Sequence, residues 1–280
     1  MSLLGGRSMK TRAILVILAL TCFIYGSWDY CHSYSIDTDD NKQIDLEKYL
    51  KKAAIGPERI PIGNRTDLYL VNLDDGKIKR TGVLRFTDKT RPQYYPADSY
   101  KYTIAAYELD KLLELNVVPP IVERQDSGKK ASLQMGVESP FLDERTRQLK
   151  KMEPPDPETF HNTLDELYVF ENLVYCSALC EYIDNLNDIL IEHEKDWKVW
   201  RIDLSQAFAP YSELISNREI TRCSKKLYQN LLGLEDKVIR SKVKKYLNKD
   251  EIDAVLKRKK LIIEKIEALI KEKGEEKVLF

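Results

Sequence analysis

The fold of this chain is decided by two neighbouring stretches in its second half, which read Asn185-Leu186-Asn187-Asp188-Ile189-Leu190-Ile191 and Val199-Trp200-Arg201-Ile202-Asp203-Leu204-Ser205-Gln206-Ala207-Phe208. Their apolar residues predict a short β-hairpin with a polar loop before the first strand and Asp203 at the end of the second. A carboxylate there, facing a second oxygen ligand in the loop, is suited to hold Mg²⁺ against the phosphates of a nucleotide. Because Asp and Asn also favour turns and helix caps, a purely structural role is the alternative.

Two further hairpins are predicted upstream of these stretches. Thr66 to Leu73 and Ile78 to Phe86 are apolar-rich runs, and Asp74-Asp75-Gly76 between them is a turn sequence. Ile121 to Val122 and Ser132 to Val137 form a similar pair around a second turn that contains glycine. We therefore expect antiparallel strands in the first half of the chain.

One helix is predicted between these hairpins. Apolar residues recur at helical spacing from Asp98 to Leu115, and Asn116 and the Pro119-Pro120 pair then end the pattern. The first half of the domain is thus predicted to run β-β-α-β-β.

The composition changes at a charged, proline-containing loop from Glu138 to Pro157. Beyond the loop, helical periodicity dominates, and the predicted helices are Thr163 to Cys180, Ser216 to Leu232, Asp236 to Leu247 and Lys249 to Lys273. The last two are amphipathic without a persistent heptad repeat, which favours packed helices with a solvated outer face over a coiled coil. An α+β fold follows.

The N-terminus has the pattern of a secretory leader. Lys10 and Arg12 precede an apolar run from Ala13 to Tyr25. We expect residues 1–27 to be a signal peptide or membrane anchor and 28–45 a polar tether. Cleavage is favoured because the run is shorter than the ~20 residues of a spanning helix, and a buried N-terminal helix is the alternative. The protein is therefore predicted to be exported, and to be secreted, periplasmic or membrane-anchored.

Charge and cysteine content narrow the choice of partners. The 45 basic and 45 acidic residues cancel, so no global field would attract nucleic acid, and a membrane is expected to be met only through an uncleaved N-terminal segment. Cys176 and Cys180 lie four residues apart, where a bridge across one helix face would be strained, and small core residues are the favoured interpretation. The three histidines have no metal-ligand spacing.

An ordered set of short stretches resembles a divergent family of bacterial secreted or envelope proteins related to the atypical kinases. That superfamily includes the HipA kinases, the secretory-pathway protein kinases and the phosphatidylinositol kinases. The matching stretches are Asp75-Gly76 through Gly82-Val83-Leu84-Arg85, Asp98-Ser99-Tyr100-Lys101-Tyr102, Ala105-Ala106-Tyr107-Glu108-Leu109-Asp110, Val118-Pro119-Pro120, Gly128 through Ser132-Leu133-Gln134, Ile189-Leu190, Ile202-Asp203 through Ala207-Phe208, and Gly274 to Phe280.

The resemblance implies a two-lobed kinase-like fold and, at several positions, an altered catalytic set. It predicts a small antiparallel-sheet N-lobe with one helix at 46–137 and a mainly helical C-lobe at 138–280. Arg85 takes the place of the phosphate-binding lysine, which makes it the candidate nucleotide-binding residue. The helix glutamate that pairs with that lysine falls at Thr103. Arginine and lysine differ in reach and geometry, so the exchange is not conservative.

The resemblance also places the metal-binding and catalytic positions. Asp203 is retained as a metal-binding acid, and the loop asparagine that binds a second metal ion falls on Asp188. Counting from the preceding helix puts the catalytic aspartate at Ala178, which leaves no base. Counting back from Ile189 puts it at Ile183, and the neighbouring Asp184 would be the base only if the loop is rearranged by one residue.

The resemblance admits Mg²⁺ and ATP as cofactors without requiring them. We expect a degenerate kinase, or pseudokinase, that binds an unknown protein partner or serves as a scaffold, with a weak or absent nucleotide site. The alternative is an active Mg-ATP-dependent phosphotransferase acting on a protein or a small molecule.

Overall fold

The computed structural model describes residues 45–63, 67–91, 94–137, 140–179 and 186–280. The predicted leader, 1–27, lies outside these ranges, as does all but the last residue of the predicted tether, 28–45. Within the described ranges, no helix combines the length and apolar character that crossing a bilayer requires.

Helices dominate the second half of the chain and strands the first. The helices are α1 (Leu46–Lys52), α2 (Tyr100–Leu113), α3 (Glu144–Lys150), α4 (Pro157–Val174), α5 (Lys225–Gly233), α6 (Asp236–Val243), α7 (Lys249–Lys273) and α8 (Glu275–Val278), with 3₁₀ turns at Ser177–Leu179 and Leu186–Asp188. The strands are β1 (Ala54–Ile55), β2 (Ile60–Pro61), β3 (Leu68–Asp74), β4 (Lys79–Arg85), β5 (Asp88–Arg91), β6 (Tyr94–Ser99), β7 (Ile121–Asp126), β8 (Lys129–Met135), β9 (Leu142–Asp143), β10 (Ile189–Glu192) and β11 (Lys198–Arg201).

The main sheet is antiparallel, with strand order β1-β3-β4-β8-β7, and β2 pairs with β3. It contains both hairpins predicted from the first half of the sequence, β3-β4 and β7-β8. In both hairpins the turn residues have the conformation or hydrogen bonds for which their sequence was selected as a turn signal. Ser127 and Gly128 both have positive φ, 50° and 80°, as a two-residue hairpin turn of the right twist requires. At the other turn, Asp75 Oδ1 accepts hydrogen bonds from the backbone N–H groups of Lys77 and Ile78 at 3.0 and 2.8 Å.

Helix α2 packs on this sheet and corresponds to the helix predicted from Asp98 to Leu115. Ser99 caps its start, since its hydroxyl oxygen accepts from Lys101 N–H at 3.2 Å. The helix ends at Glu114, whose φ of 57° is left-handed. Asp110 then fixes the following turn, because its buried carboxylate accepts from the N–H of Val117 at 3.0 Å.

Four predictions of helix or loop boundaries were partly wrong. The helix predicted from Asp236 to Leu247 ends at Val243, and α4 ends at Val174, short of the predicted Cys180. Helix α4 starts six residues before Thr163, because Pro157 fits the first turn of a helix and Asp156 caps it. Of the predicted helix Ser216 to Leu232, only the part from Lys225 is helical, since the earlier backbone bonds to other elements: Asn172 accepts from Ile215 and donates to the carbonyl of Arg218.

The charged loop predicted from Glu138 to Pro157 also contains regular structure. Strand β9 pairs with β10, and Asp143 then caps α3 by accepting from Thr146 N–H at 2.8 Å. By contrast, α7 has the predicted bounds, and a reciprocal capping box between Asn248 and Glu251 defines its start.

Two hydrophobic clusters divide the core. The smaller joins α1 to one face of the main sheet through residues such as Leu50, Leu84 and Leu133. The larger contains α2, α4, α5, α6, α7 and the β10-β11 hairpin. The predicted α+β, two-lobed fold is confirmed, whereas the boundary between 137 and 138 stays a prediction. Cys176 and Cys223 are both buried without a disulfide, and Cys180 lies outside the described residues.

Candidate active site

Arg85 is the last residue of β4, and its guanidinium group is almost fully buried. Nη2 donates to Asp203 Oδ1 at 2.7 Å, and Nη1 donates to Ser205 Oγ at 3.0 Å. Asp98 Oδ1 lies 3.6 Å from Nη1, which is an ion-pair distance but too long for a hydrogen bond. Arg85 therefore joins the end of the main sheet to the segment that follows β11.

That segment, residues 203–208, has an unusual backbone conformation at both ends. Asp203 has a φ of 52° and Phe208 a φ of 64°. Positive φ is tolerated by Asp but is rare for a bulky aromatic residue, and it persists only where the surroundings impose it. Here Phe208 N–H donates to the carbonyl of Val174 at 2.9 Å, and Ser205 Oγ donates to Asp203 Oδ1 at 3.0 Å. The segment is thus held in a defined conformation.

Asp188 lies in the 3₁₀ turn directly before β10. Its carbonyl accepts from Ile202 N–H at 2.9 Å, and its Oδ2 lies 3.7 Å from Arg201 Nη1. Because Ile189 pairs with Arg201 across the hairpin, Asp188 and Asp203 flank the same end of it. The structure therefore brings these two predicted metal ligands to one end of one hairpin, with Arg85 bonded to the second.

A buried charge network supports this end of the hairpin. Glu171 projects from α4, is fully buried, and accepts from Arg201 Nε at 2.7 Å through one oxygen and from Arg218 Nε at 3.2 Å through the other. The Arg201 side chain is also fully buried, with its guanidinium 5.7 Å from the ring centre of Tyr175. Burial raises the pKa of Tyr175, so its phenol stays neutral. Removal of one partner would leave an uncompensated buried charge, which is strongly destabilising. The network therefore fixes the position of this end of the hairpin.

Helix α2 contributes no acidic partner to Arg85 at the position predicted for one. Thr103 is buried, and its hydroxyl donates to the carbonyl of Tyr100 in the preceding turn at 2.8 Å. Glu108, five residues further along α2, pairs with Lys111 at 3.0 Å. The start of α2 instead reaches the site through its backbone, because Ser99 N–H donates to the carbonyl of Ser205 at 2.8 Å.

Asp184 lies outside the described residues, so its position relative to Asp188 and Asp203 stays a prediction. Two cavities of about 290 and 370 Å³ occur in the described part of the helical lobe, and Asp253 and Lys265 are among their lining residues. Neither cavity is lined by Arg85, Asp188 or Asp203.

The oxygen donors at the hairpin end fit Mg²⁺ only in part. Within the described residues, no cluster of three or more His, Cys, Asp or Glu side chains is placed to hold a metal ion. Two carboxylates are sufficient where phosphate oxygens and water complete the octahedron, and Asp188 and Asp203 would be the ligands of such an ion. However, Asp203 Oδ1 already accepts hydrogen bonds from both Arg85 and Ser205. A metal ion must therefore compete with an internal cation at this oxygen.

Comparison with solved structures identifies the fold. The structure of hydra Fam20 with sugar superposes with a TM-score of 0.62 at 15% identity, over 85% of this chain and 93% of that one. The Helicobacter pylori proinflammatory kinase CtkA superposes with a TM-score of 0.51 at 11% identity, over 80% of this chain and 98% of that one. HipA of Shewanella oneidensis MR-1, from a complex with HipB and operator DNA, gives 0.42 at 12% identity, over 79% and 68%.

These likenesses show that the chain has a kinase-like fold, and the predicted resemblance to the atypical kinase superfamily is confirmed at the level of fold. No protein-family model matches the sequence. A search of curated proteins also gave no match.

Several of these residues were not assigned to the site from the sequence alone. Ser205, Asp98 and Arg201 were noticed only as parts of motifs, and Glu171 was not noticed at all. A single acidic residue in the apolar run Leu167 to Val174 was the available signal, because a carboxylate in such a run requires a buried cationic partner.

Proposed function

We propose that this protein is an exported, kinase-like binding or scaffold module whose catalytic set is degenerate. One observation carries the proposal: the buried Arg85 guanidinium bonds directly to the partly exposed Asp203 carboxylate. The carboxylate best suited to hold a nucleotide's metal ion is thereby neutralised within the chain.

The exchange of lysine for arginine accounts for the strength of this contact. A guanidinium presents donors in a planar fork, so Arg85 bonds Asp203 and Ser205 at once, which a single ammonium group would do less well. No carboxylate at Thr103 draws Arg85 away from Asp203. A metal ion can bind Asp203 Oδ1 only by displacing Arg85 or sharing this oxygen with it, so a metal-nucleotide ligand must first replace a charge-assisted hydrogen bond.

The alternative function is Mg-ATP-dependent phosphoryl transfer. It is supported by the placement of Asp188 and Asp203 at one hairpin end and by the left-handed backbone of Asp203. In that case the two carboxylates would hold the ion, Arg85 would contact a phosphate and Asp184 would accept the proton of the substrate hydroxyl. The bound ion would supply charge neutralisation between the phosphates.

Export and partner are proposals that rest on the sequence. The basic residues and apolar run at the N-terminus support passage out of the cytoplasm, either with cleavage or with a retained anchor. A module without catalytic activity acts by binding, and we propose a protein as its partner. The balance of acidic and basic residues argues against nucleic acid.

Thermal unfolding with and without about 5 mM Mg-ATP tests the proposal, because a ligand that binds only the folded state raises the unfolding temperature. We expect no rise beyond that produced by Mg²⁺ alone, in the wild type or in Asp203→Ala. The matched control is Asp196→Ala, which removes an exposed aspartate from the turn at the opposite end of the β10-β11 hairpin. A rise of several degrees in the wild type and in Asp196→Ala, abolished by Asp203→Ala, would overturn the proposal and support the phosphotransferase.

A further inference from the structure

Helix α2 is tied to the helical lobe by a buried side-chain contact. The Tyr102 hydroxyl donates to Glu251 Oε1 at 2.5 Å, across 149 residues of sequence. Tyr102 is 1% exposed and Glu251 is 3% exposed. The contact therefore joins α2 to the first turn of α7 within the protein interior.

Glu251 is held in place for this contact by its own helix. Its Oε2 accepts from Asn248 N–H at 2.8 Å, and its backbone N–H donates to Asn248 Oδ1 at 2.9 Å. One carboxylate oxygen thus completes the cap of α7, while the other accepts from Tyr102. Because a buried carboxylate needs hydrogen bonds to both oxygens, the cap and the link to α2 depend on each other.

The same tyrosine contacts the segment that carries Asp203. The rings of Tyr102 and Phe208 pack edge to face, with centroids 5.8 Å apart. Phe208 is fully buried and has positive φ, so its conformation depends on its neighbours. Three residues before Tyr102, the backbone of α2 bonds the same segment through Ser99 N–H and the Ser205 carbonyl.

From these contacts we infer that Tyr102 and Glu251 are positioning residues for the segment 203–208. They fix α2 against α7, and α2 in turn holds the segment at Ser205 and Phe208. Thr103, one residue along the helix, donates to the carbonyl of Tyr100 within α2, so at this turn the contact with α7 is made by Tyr102. The inference concerns the geometry of Asp203 and goes beyond the question of whether nucleotide binds there.

Amide hydrogen exchange of the full chain, read on short peptides by mass spectrometry, tests the inference. Tyr102→Phe keeps the ring against Phe208 and removes only the hydroxyl. We expect exchange at the Ser99 and Phe208 amides to quicken by about tenfold, as loss of one buried bond to a charged group allows. The matched control is Tyr107→Phe, which removes the hydroxyl that donates to Glu47 at 3.1 Å from the same helix. We expect it to leave both amides within about twofold of the wild type.

Two results would overturn the inference. One is unchanged exchange at both amides in Tyr102→Phe, and the other is the same acceleration in the β7-β8 hairpin, which would mean a general loss of stability. If Tyr102→Phe does not fold, Glu251→Gln is the second variant. Its single acceptor oxygen cannot serve both Tyr102 and the Asn248 N–H, and the same two amides are expected to respond. No nucleotide is present in this experiment, so a wild-type response to Mg-ATP would remove the proposed function and leave this inference standing.

Discussion

Asp110 is a buried carboxylate whose titration is expected to make the stability of the fold depend on pH. Its carboxylate is 1% exposed at the end of α2, and burial raises its pKa to about 6 despite the hydrogen bond from Val117 N–H. An unfolded aspartate has a pKa of about 3.9, so the folded state binds the proton more tightly. The stabilising contribution is therefore complete below about pH 4 and is lost as the pH rises through 6.

Asp110→Asn cannot ionise, so it removes the loss of stability at higher pH, and its amide oxygen can still accept from Val117 N–H. Relative to the wild type, we expect the variant to gain on the order of 1–3 kcal/mol in unfolding free energy between about pH 5 and pH 7.5, measured by urea denaturation. Asp156→Asn is the control, because the hydrogen bonds from Thr159 keep the pKa of Asp156 below its usual range and outside this window. A pH-independent difference for Asp110→Asn would contradict the assigned burial.

At the scale of one element, strand β4 shows a position where the absence of a Cβ allows close packing of side chains from both flanking strands. A Cβ on Gly82 would lie 2.8 Å from Leu73 Cδ1 and 3.1 Å from Leu133 Cδ1, on the two strands that flank β4. We expect Gly82→Ala to lower the unfolding free energy by about 1–3 kcal/mol, since the core must shift to admit the methyl group.

Gly233, the last residue of α5, is the matched position for this substitution. No heavy atom lies within 4 Å of its added Cβ. Gly233→Ala is therefore expected to be neutral or to stabilise by up to about 1 kcal/mol through helix propensity. Chemical denaturation of both variants decides the point, and equal effects at the two positions would show that close packing around β4 is not the cause.

At the scale of the whole molecule, the two lobes are joined by contacts at the candidate site. Arg85 with Asp203 and Ser99 with Ser205 connect the sheet and α2 to the helical lobe, and α2 itself belongs to the larger hydrophobic cluster. We therefore expect the lobes to unfold in one cooperative transition.

A core substitution in the small lobe tests this expectation. Leu50 is fully buried between α1 and the sheet, and Leu50→Ala should cost about 2–5 kcal/mol. Trp197 and Trp200 both lie in the helical lobe, so in a Trp28→Phe background their fluorescence reports that lobe. Cooperative unfolding predicts that Leu50→Ala shifts the fluorescence transition and the far-UV transition equally. An unmoved fluorescence transition would mean that the lobes unfold separately.

At the candidate site, the residues could be predicted from the sequence but their contacts could not. Asp203, Asp188 and Arg85 were singled out from the order of short motifs, and the structure places all three at the hairpin end. That Arg85 bonds Asp203, and that Glu171 supports the hairpin through Arg201, was not predictable, because the partners lie 118 and 30 residues apart.

The sequence by itself determined the elements whose cause is local. Turn residues such as Ser127 and Gly128 defined the hairpins, and helical periodicity with a capping box defined α7, because backbone preference and side-chain spacing act over a few residues. Only the tertiary structure decided the path of residues 216–224 and the partner of Arg85. In both cases the competing interactions are long-range, and the free energy of burying each polar group depends on which distant group meets it.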